Sequence, residues 1–194
     1  MKKKKKSLKR ELIEFGVILG IFGFLYVTGL STDVFGALQR MVMVTGVHNA
    51  GDGLPEEEQY YADYNLSFSD MEGVRISLEQ FKGKTVFINI WATWCPPCVA
   101  EMPSINDLYL SQKENDDVVF LMISVDQDRT KVPKFMEKKE FDFPVFYSEG
   151  MPSSYSTGSI PTTVVVSPEG KVVYKKAGIA NYDTNGFKDF LTNL

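Results

Sequence analysis

The two cysteines of this chain, Cys95 and Cys98, stand three residues apart in the stretch WATWCPPC (91–98). Two thiols so spaced can form and break one disulfide without backbone rearrangement, provided the second lies one helical turn beyond the first. The flanking sequence supplies that setting. TVFINIW (85–91) reads as a buried strand, apolar on both faces, and it hands over to a helix predicted from Cys98 to about residue 113, with Pro103 as a kink point. A strand-to-helix turn leaves the first cysteine exposed and aims free backbone N–H groups at its sulfur, which favours the thiolate. Cys95 is thus the expected nucleophile and Cys98 the resolving thiol. Pro96 and Pro97 suit a first helical turn, where N–H groups have no intrahelical partner, and they stiffen the ring that the disulfide closes. Three other uses of the pair fit less well. A structural disulfide over so short a loop gains little. A metal half-site needs two more ligands, and His48 is the single histidine. A haem-attachment C-x-x-C-H is denied by Val99. Neither metal nor cofactor is expected, and His48 reads as a surface residue.

The elements that must position this pair follow an α/β pattern. Residues 65–68 and 74–77, joined through Asp70, Met71, Glu72 and Gly73, read as a small hairpin. VVFLMISV (118–125) reads as a second buried strand, 131–139 as a second helix and 145–147 as a short strand. Residues 162–166 and 171–175 flank the turn Ser167-Pro168-Glu169-Gly170, and 187–191 close the chain as a terminal helix. This succession predicts a central mixed β-sheet with helices on both faces.

Composition sets the outer bounds. With 194 residues, 44% hydrophobic, the chain is globular rather than disordered. Seven of its 21 basic residues fall in the first ten positions, leaving 14 against 25 acidic residues beyond Arg10. A body that acidic would repel phosphate backbones, so no nucleic-acid partner is expected. Behind the basic head (1–11), FGVILGIFGFLYVTGL (15–30) is free of charge, and residues 12–30 read as one transmembrane signal-anchor. The lysines hold the head in the cytoplasm and place the remainder on the outer, periplasmic side of a bacterial cytoplasmic membrane. Cleavage as a signal peptide is the alternative; against it, the apolar run is long and no A-x-A site follows. Residues 31–60 read as a juxtamembrane segment and solvated linker, the latter carrying HNAGDGLPEEEQ, and 61–194 as the folded domain.

GKTVFINIWATWCPPC (83–98), the Glu101-Met102-Pro103 that follows, and SIPTTVVVSPEGKVV (159–173) resemble the membrane-anchored TlpA/ResA-type thiol-disulfide oxidoreductases of the thioredoxin superfamily, over about two thirds of the chain. The resemblance implies a thioredoxin-like fold with an N-terminal hairpin extension. Thioredoxin has a buried aspartate where this chain has Asn89; the acid that matches in this subfamily is Glu101, expected to take the proton of Cys98 as a mixed disulfide resolves. The alternative for Glu101 is a helix-start acid favoured by the dipole. Pro161 resembles the family's cis-proline, which would free the backbone of Ile160 to pair with an extended substrate; an ordinary trans proline opening a strand is the alternative. Trp94 is expected to form an apolar lip beside the site, with Pro96 and Pro97 also facing substrate, and Trp91 to pack in the core.

The activity so implied is exchange of disulfides with exported proteins, most simply reduction, including apocytochrome c cysteines before haem attachment. Electrons would come from a membrane thiol-disulfide transporter, since an outer compartment is oxidising. An oxidase or isomerase is the alternative within this chemistry. From a different class, the domain could be an anchored, non-catalytic peptide-binding module.

Overall fold

The computed structural model describes residues 8–28 and 49–194. In chain order its elements are α1 (Leu8–Thr28), β1 (Tyr60–Tyr61), β2 (Ser67–Ser69), β3 (Arg75–Ser77), β4 (Thr85–Trp91), α2 (Pro96–Gln112), β5 (Val118–Ser124), α3 (Lys131–Lys139), β6 (Val145–Ser148), β7 (Thr162–Val166), β8 (Lys171–Ala177) and α4 (Asn185–Thr192). The strands make one mixed sheet in the order β1-β8-β7-β4-β5-β6-β2-β3. β4, β5 and β6 run parallel, and β7 and β2 join antiparallel on either side. β4 is paired along both edges and all seven of its residues are buried. That accounts for its uninterrupted apolar sequence.

Alternation along β4 sorts the core into two halves. Phe87 and Trp91 face a cluster that includes Met102, Ile105 and Leu108 of α2, Val132 and Phe135 of α3, and Phe187 and Leu191 of α4. Val86, Ile88 and Ile90 face Leu66, Phe68, Leu78 and Tyr155. The expectation of helices on both faces is therefore corrected: α2, α3 and α4 share one face, and the other is covered by the hairpin, a 3₁₀ turn at Leu78–Phe81 and the segment around Tyr155. Chirality explains it. The path β4-α2-β5-α3-β6 steps across three parallel neighbours in one direction, and right-handed crossovers then put both connecting helices on the same side.

The predicted linker is corrected too. From residue 49 onward the chain is strapped along β8 by its backbone, while Gly51, Asp52 and residues 55–58 stay exposed as a solvated segment would be. Asn49 bridges to Asn181, Ala50 N–H donates to Asn181 O at 2.8 Å, Leu54 N–H donates to Val173 O at 2.6 Å, and β1 pairs with β8. A proline and glutamate-rich segment docks here because the edge of β8 offers backbone donors and acceptors that need a partner. The folded unit thus starts near residue 49, not 61.

α1 covers most of the predicted span and begins inside the predicted basic head. Ile13, Phe15, Val17, Ile18, Leu19 and Ile21 are exposed on it. Among the described residues no helix is long and apolar enough to cross a membrane. The start of the basic head, the end of the predicted span, the apolar part of the juxtamembrane segment and His48 lie outside the described residues.

The strap is tightest at Gly53, where a Cβ would lie 2.7 Å from the Phe190 ring and 2.8 Å from Val173 O. Gly53→Ala is expected to destabilise the domain by about 1–3 kcal/mol, lowering Tm by about 2–4 °C for each kcal/mol. Gly51→Ala, which meets nothing within 4 Å, is the control and should leave Tm unchanged in thermal unfolding.

Candidate active site

The site is built at the turn from β4 into α2. Cys95 N–H donates to Ala92 O at 3.2 Å, closing a turn with Thr93 and Trp94 at its corners. Cys95 then serves as the N-cap of α2: its backbone is extended and its Sγ accepts from Cys98 N–H at 3.3 Å. The helix starts at Pro96 rather than Cys98, because prolines in the first two helical positions forfeit only N–H groups that have no helical acceptor. Cys95 and Cys98 are joined in a disulfide, S–S 2.12 Å, with their Cα atoms 5.3 Å apart. Cys95 is 4% exposed and Cys98 fully buried, so the exposed first cysteine expected from the turn is corrected for the oxidised form. Its Sγ is bonded to a sulfur that lies wholly in the interior. The exposed group at this corner is Trp94, at 58%.

One turn beyond Cys98, Glu101 is completely buried. It is not a solvent-facing helix-start acid. Asn89 Nδ2 donates to its Oε1 at 2.8 Å and Ala180 N–H donates to its Oε2 at 3.1 Å. Asn89 Nδ2 also donates to Thr163 Oγ1 at 2.9 Å. β4, α2, β7 and the loop after β8 thus converge on one carboxyl. A parallel tie lies a little further along α2, where Ser104 Oγ donates to Glu101 O and accepts from Tyr182 N–H. Pro103 lies inside α2 and has no N–H to offer Val99 O. Burial pushes the Glu101 pKa up from the ordinary 4.5 to about 8, against the opposing pull of Asn89, the Ala180 N–H and the charge of Lys176.

Ile160–Pro161 is a cis peptide bond. Pro161 is buried at the start of β7, and its carbonyl accepts from Gly178 N–H at 2.9 Å. Ile160 and Trp94 share the lining of a cavity of about 310 Å³ with Ile90, Val125 and Met151. Pro96 and Pro97 are half-buried at the helix start, and Trp91 packs in the core against Phe135, ring centroids 5.5 Å apart. The paired cysteines, Glu101, Trp94, Ile160 and Pro161 are therefore gathered around the ends of β4 and β7. Sequence reasoning missed Thr163 and Ala180 as supports of Glu101 and Asp126 as a support of the turn. The signals available were one amide inside an otherwise apolar strand and an acid placed directly after VVFLMISV.

The raised pKa of Glu101 gives stability a definite pH dependence in the oxidised protein, where neither cysteine titrates. The unfolded chain releases this proton near 4.5 and the folded one near 8, so between those values the folded state holds more protons and stability falls as pH rises. The full contribution is present below 4.5 and is lost by pH above 8. Glu149 and Asp128, whose pKa values are lowered by Arg129 and Thr130 respectively, act in the opposite sense and below that window. Urea unfolding of the oxidised protein from pH 5 to 8.5 should show a decline of a few kcal/mol. Glu101→Gln should remove the slope, whatever its absolute stability.

Residues 50–191 match the Redoxin family. The thiol-disulfide oxidoreductase ResA of a Bacillus cereus strain is 39% identical over 116 residues, which are 59% of this chain and 66% of that protein. The chain thus spans just under two thirds of that relative's length. The ResA of Oceanobacillus iheyensis is 28% identical over 174 residues, 88% of this chain and 82% of that protein. Among solved structures, StoA from Bacillus subtilis superposes with a TM-score of 0.54 at 22% identity, covering 68% of this chain and 95% of that one. A thiol:disulfide interchange protein from Bacteroides sp. gives 0.54 at 22%, covering 75% and 88%. At such identities these structures speak to the fold, which is thioredoxin-like. A match that runs from the strap at Ala50 to Leu191 in α4 takes in the whole sheet, and the chain belongs to the Redoxin family.

Proposed function

We propose that this protein is a membrane-tethered, extracytoplasmic thiol-disulfide oxidoreductase that reduces the disulfides of exported proteins, those of apocytochrome c ahead of haem attachment among them. The observation that carries the reading is the Cys95–Cys98 disulfide at the N-terminus of α2, with a sealed carboxyl one turn further on. Relatives named thiol-disulfide oxidoreductase are 39% and 28% identical to this chain over 116 and 174 residues.

In the reduced protein the Cys95 thiolate attacks one sulfur of a substrate disulfide. A Cys95–substrate disulfide forms, and the other substrate sulfur leaves as a thiolate and takes up a proton. Cys98 then gives up its proton and attacks Cys95 Sγ, which restores the Cys95–Cys98 bond and frees the second substrate thiol. Two electrons have passed from the protein to the substrate. Glu101, buried one turn further along the same helix, is the acceptor for the Cys98 proton in its carboxylate form, which burial makes the minor form below about pH 8. Trp94, Ile160 and Pro161, with Pro96 and Pro97 at the helix start, form the surface that meets an extended substrate segment. The N-terminal end of the α2 dipole and the one N–H aimed at Cys95 Sγ, that of Cys98 at 3.3 Å, favour the Cys95 thiolate over the thiol.

A second dithiol must recharge the pair, and a membrane thiol-disulfide transporter suits an oxidising compartment. The tether is α1 with the uncharged run 15–30, which continues past the described end of that helix at Thr28. The lysine cluster on its N-terminal side sets the orientation, with the domain outside.

Cys98→Ala in the full-length chain expressed in a bacterial host should accumulate mixed disulfides through Cys95, visible as reducible adducts on non-reducing gels of the membrane fraction. Cys95→Ala should give none. Adducts equally abundant with Cys95→Ala would contradict the roles of the two cysteines, and adducts confined to the soluble fraction would contradict the tether.

A further inference from the structure

The loop after β5 carries an acid that the exchange chemistry above leaves unused. Asp126 is 7% exposed. Its Oδ2 accepts from Thr93 N–H at 2.8 Å and from Ser124 Oγ at 2.9 Å, and its Oδ1 accepts from Thr93 Oγ1 at 2.6 Å. A buried carboxylate is costly unless donors meet its oxygens. Two of the three donors here come from a single residue, and that residue is a corner of the turn that delivers Cys95. The roots of the two loops are joined as well, Val125 N–H donating to Trp91 O at 2.9 Å. Thr93 thus has its backbone and its side chain fixed by the same carboxylate.

The next corner is Trp94. Its exposed ring is common to two cavities, the apolar one with Ile90, Met151 and Ile160, and one of about 380 Å³ with Asp126, Gln127, Asp128 and Lys131. Trp94 therefore stands, with Val125, between an apolar recess and one of mixed lining that carries Asp126, Asp128 and Lys131. Nothing in the chemistry of two thiols requires such a partition; a peptide chain running past the sulfurs does, because its side chains on either side of the reacting cysteine need separate places.

We propose that Asp126 is a positioning residue for protein substrates: by clamping Thr93 it holds the turn before Cys95, and with it Trp94, as the wall between the two recesses that receive the substrate chain. This rests on the exchange activity proposed above and names its substrate class as polypeptide disulfides rather than small ones. A small disulfide reaches the sulfur without engaging either recess, so the clamp matters little to it. A polypeptide depends on the register that the wall imposes, and displacements on the order of 1 Å at a reacting centre cost up to about a hundredfold in rate.

The test compares two oxidants of the full-length, detergent-solubilised protein, with dithiothreitol as the recycling reductant and its direct reaction subtracted: insulin as the polypeptide disulfide and bis(2-hydroxyethyl) disulfide as the small one. Thr93→Val, which removes one donor and keeps the shape, and Asp126→Asn should each lower kcat/KM for insulin by about tenfold, mainly through KM, with the small disulfide changed less than about twofold. Thr93→Ser keeps the hydroxyl and should restore the wild-type value. Equal losses on both oxidants, or no loss on insulin, would overturn the proposal. If Asp126→Asn fails to fold by circular dichroism, Thr93→Val with its serine rescue decides alone. A wild-type protein inert toward both oxidants would instead overturn the exchange activity itself, and the positioning role with it.

Discussion

A carboxyl group sealed from water is the constraint around which this domain is arranged. Glu101 has no exposed surface, and both of its oxygens are met by N–H groups, one from the middle of β4 and one from the loop after β8. Meeting those two donors fixes the rotation of α2 about its axis. The rotation in turn fixes where the helix begins and where its first cysteine sits. An apolar residue in place of Glu101 would leave the Asn89 amide and the Ala180 N–H without that acceptor in the interior, a cost comparable to a lost hydrogen bond for each. The arrangement therefore couples fold to the proposed chemistry: the group that registers α2 against the sheet is also the acid nearest in sequence to Cys98.

At the other end of the same turn the two sulfurs are made unequal by position alone. Cys95 is the cap of α2, its Sγ met by a single backbone N–H, that of Cys98, while Cys98 is already inside the helix and inside the core. The first can meet a partner once the disulfide opens; the second can meet only Cys95. The outer surface of the turn is then left to Trp94, steadied from behind through Thr93 and Asp126. In the proposed exchange, attack, resolution and recognition thus fall to neighbouring residues on one short stretch.

Much of this was legible in the sequence. The uniform apolarity of 85–91 marked β4 to the residue because a strand buried on both faces has no alternation to blur its ends, and the cysteine spacing with its prolines marked the helix start to within two residues. α3 and β7 were placed to the residue as well, each bounded by a clear change in composition. What could not be read is what depends on backbone pairing at a distance. The strap from residue 49 to β1 has the composition of a linker, and its attachment rests on N–H and C=O groups of β8 that no side-chain pattern reports. The single-sided placement of the helices follows from strand order, which periodicity does not encode. Glu101 was singled out by resemblance, whereas its partner Ala180, and Thr163 that holds its other partner Asn89, come from the far end of the chain and emerge only in three dimensions.

The central claim is that Cys95 and Cys98 form a reversible couple poised to donate electrons. The most direct measurement is its reduction potential in the folded protein, equilibrated against dithiothreitol or glutathione buffers and read by thiol alkylation. The account predicts a single two-electron transition near or below the ~−270 mV of thioredoxin, as suits a reductant that depends on a membrane donor. A potential near the ~−120 mV of a strong oxidant would contradict it and reverse the direction of electron flow.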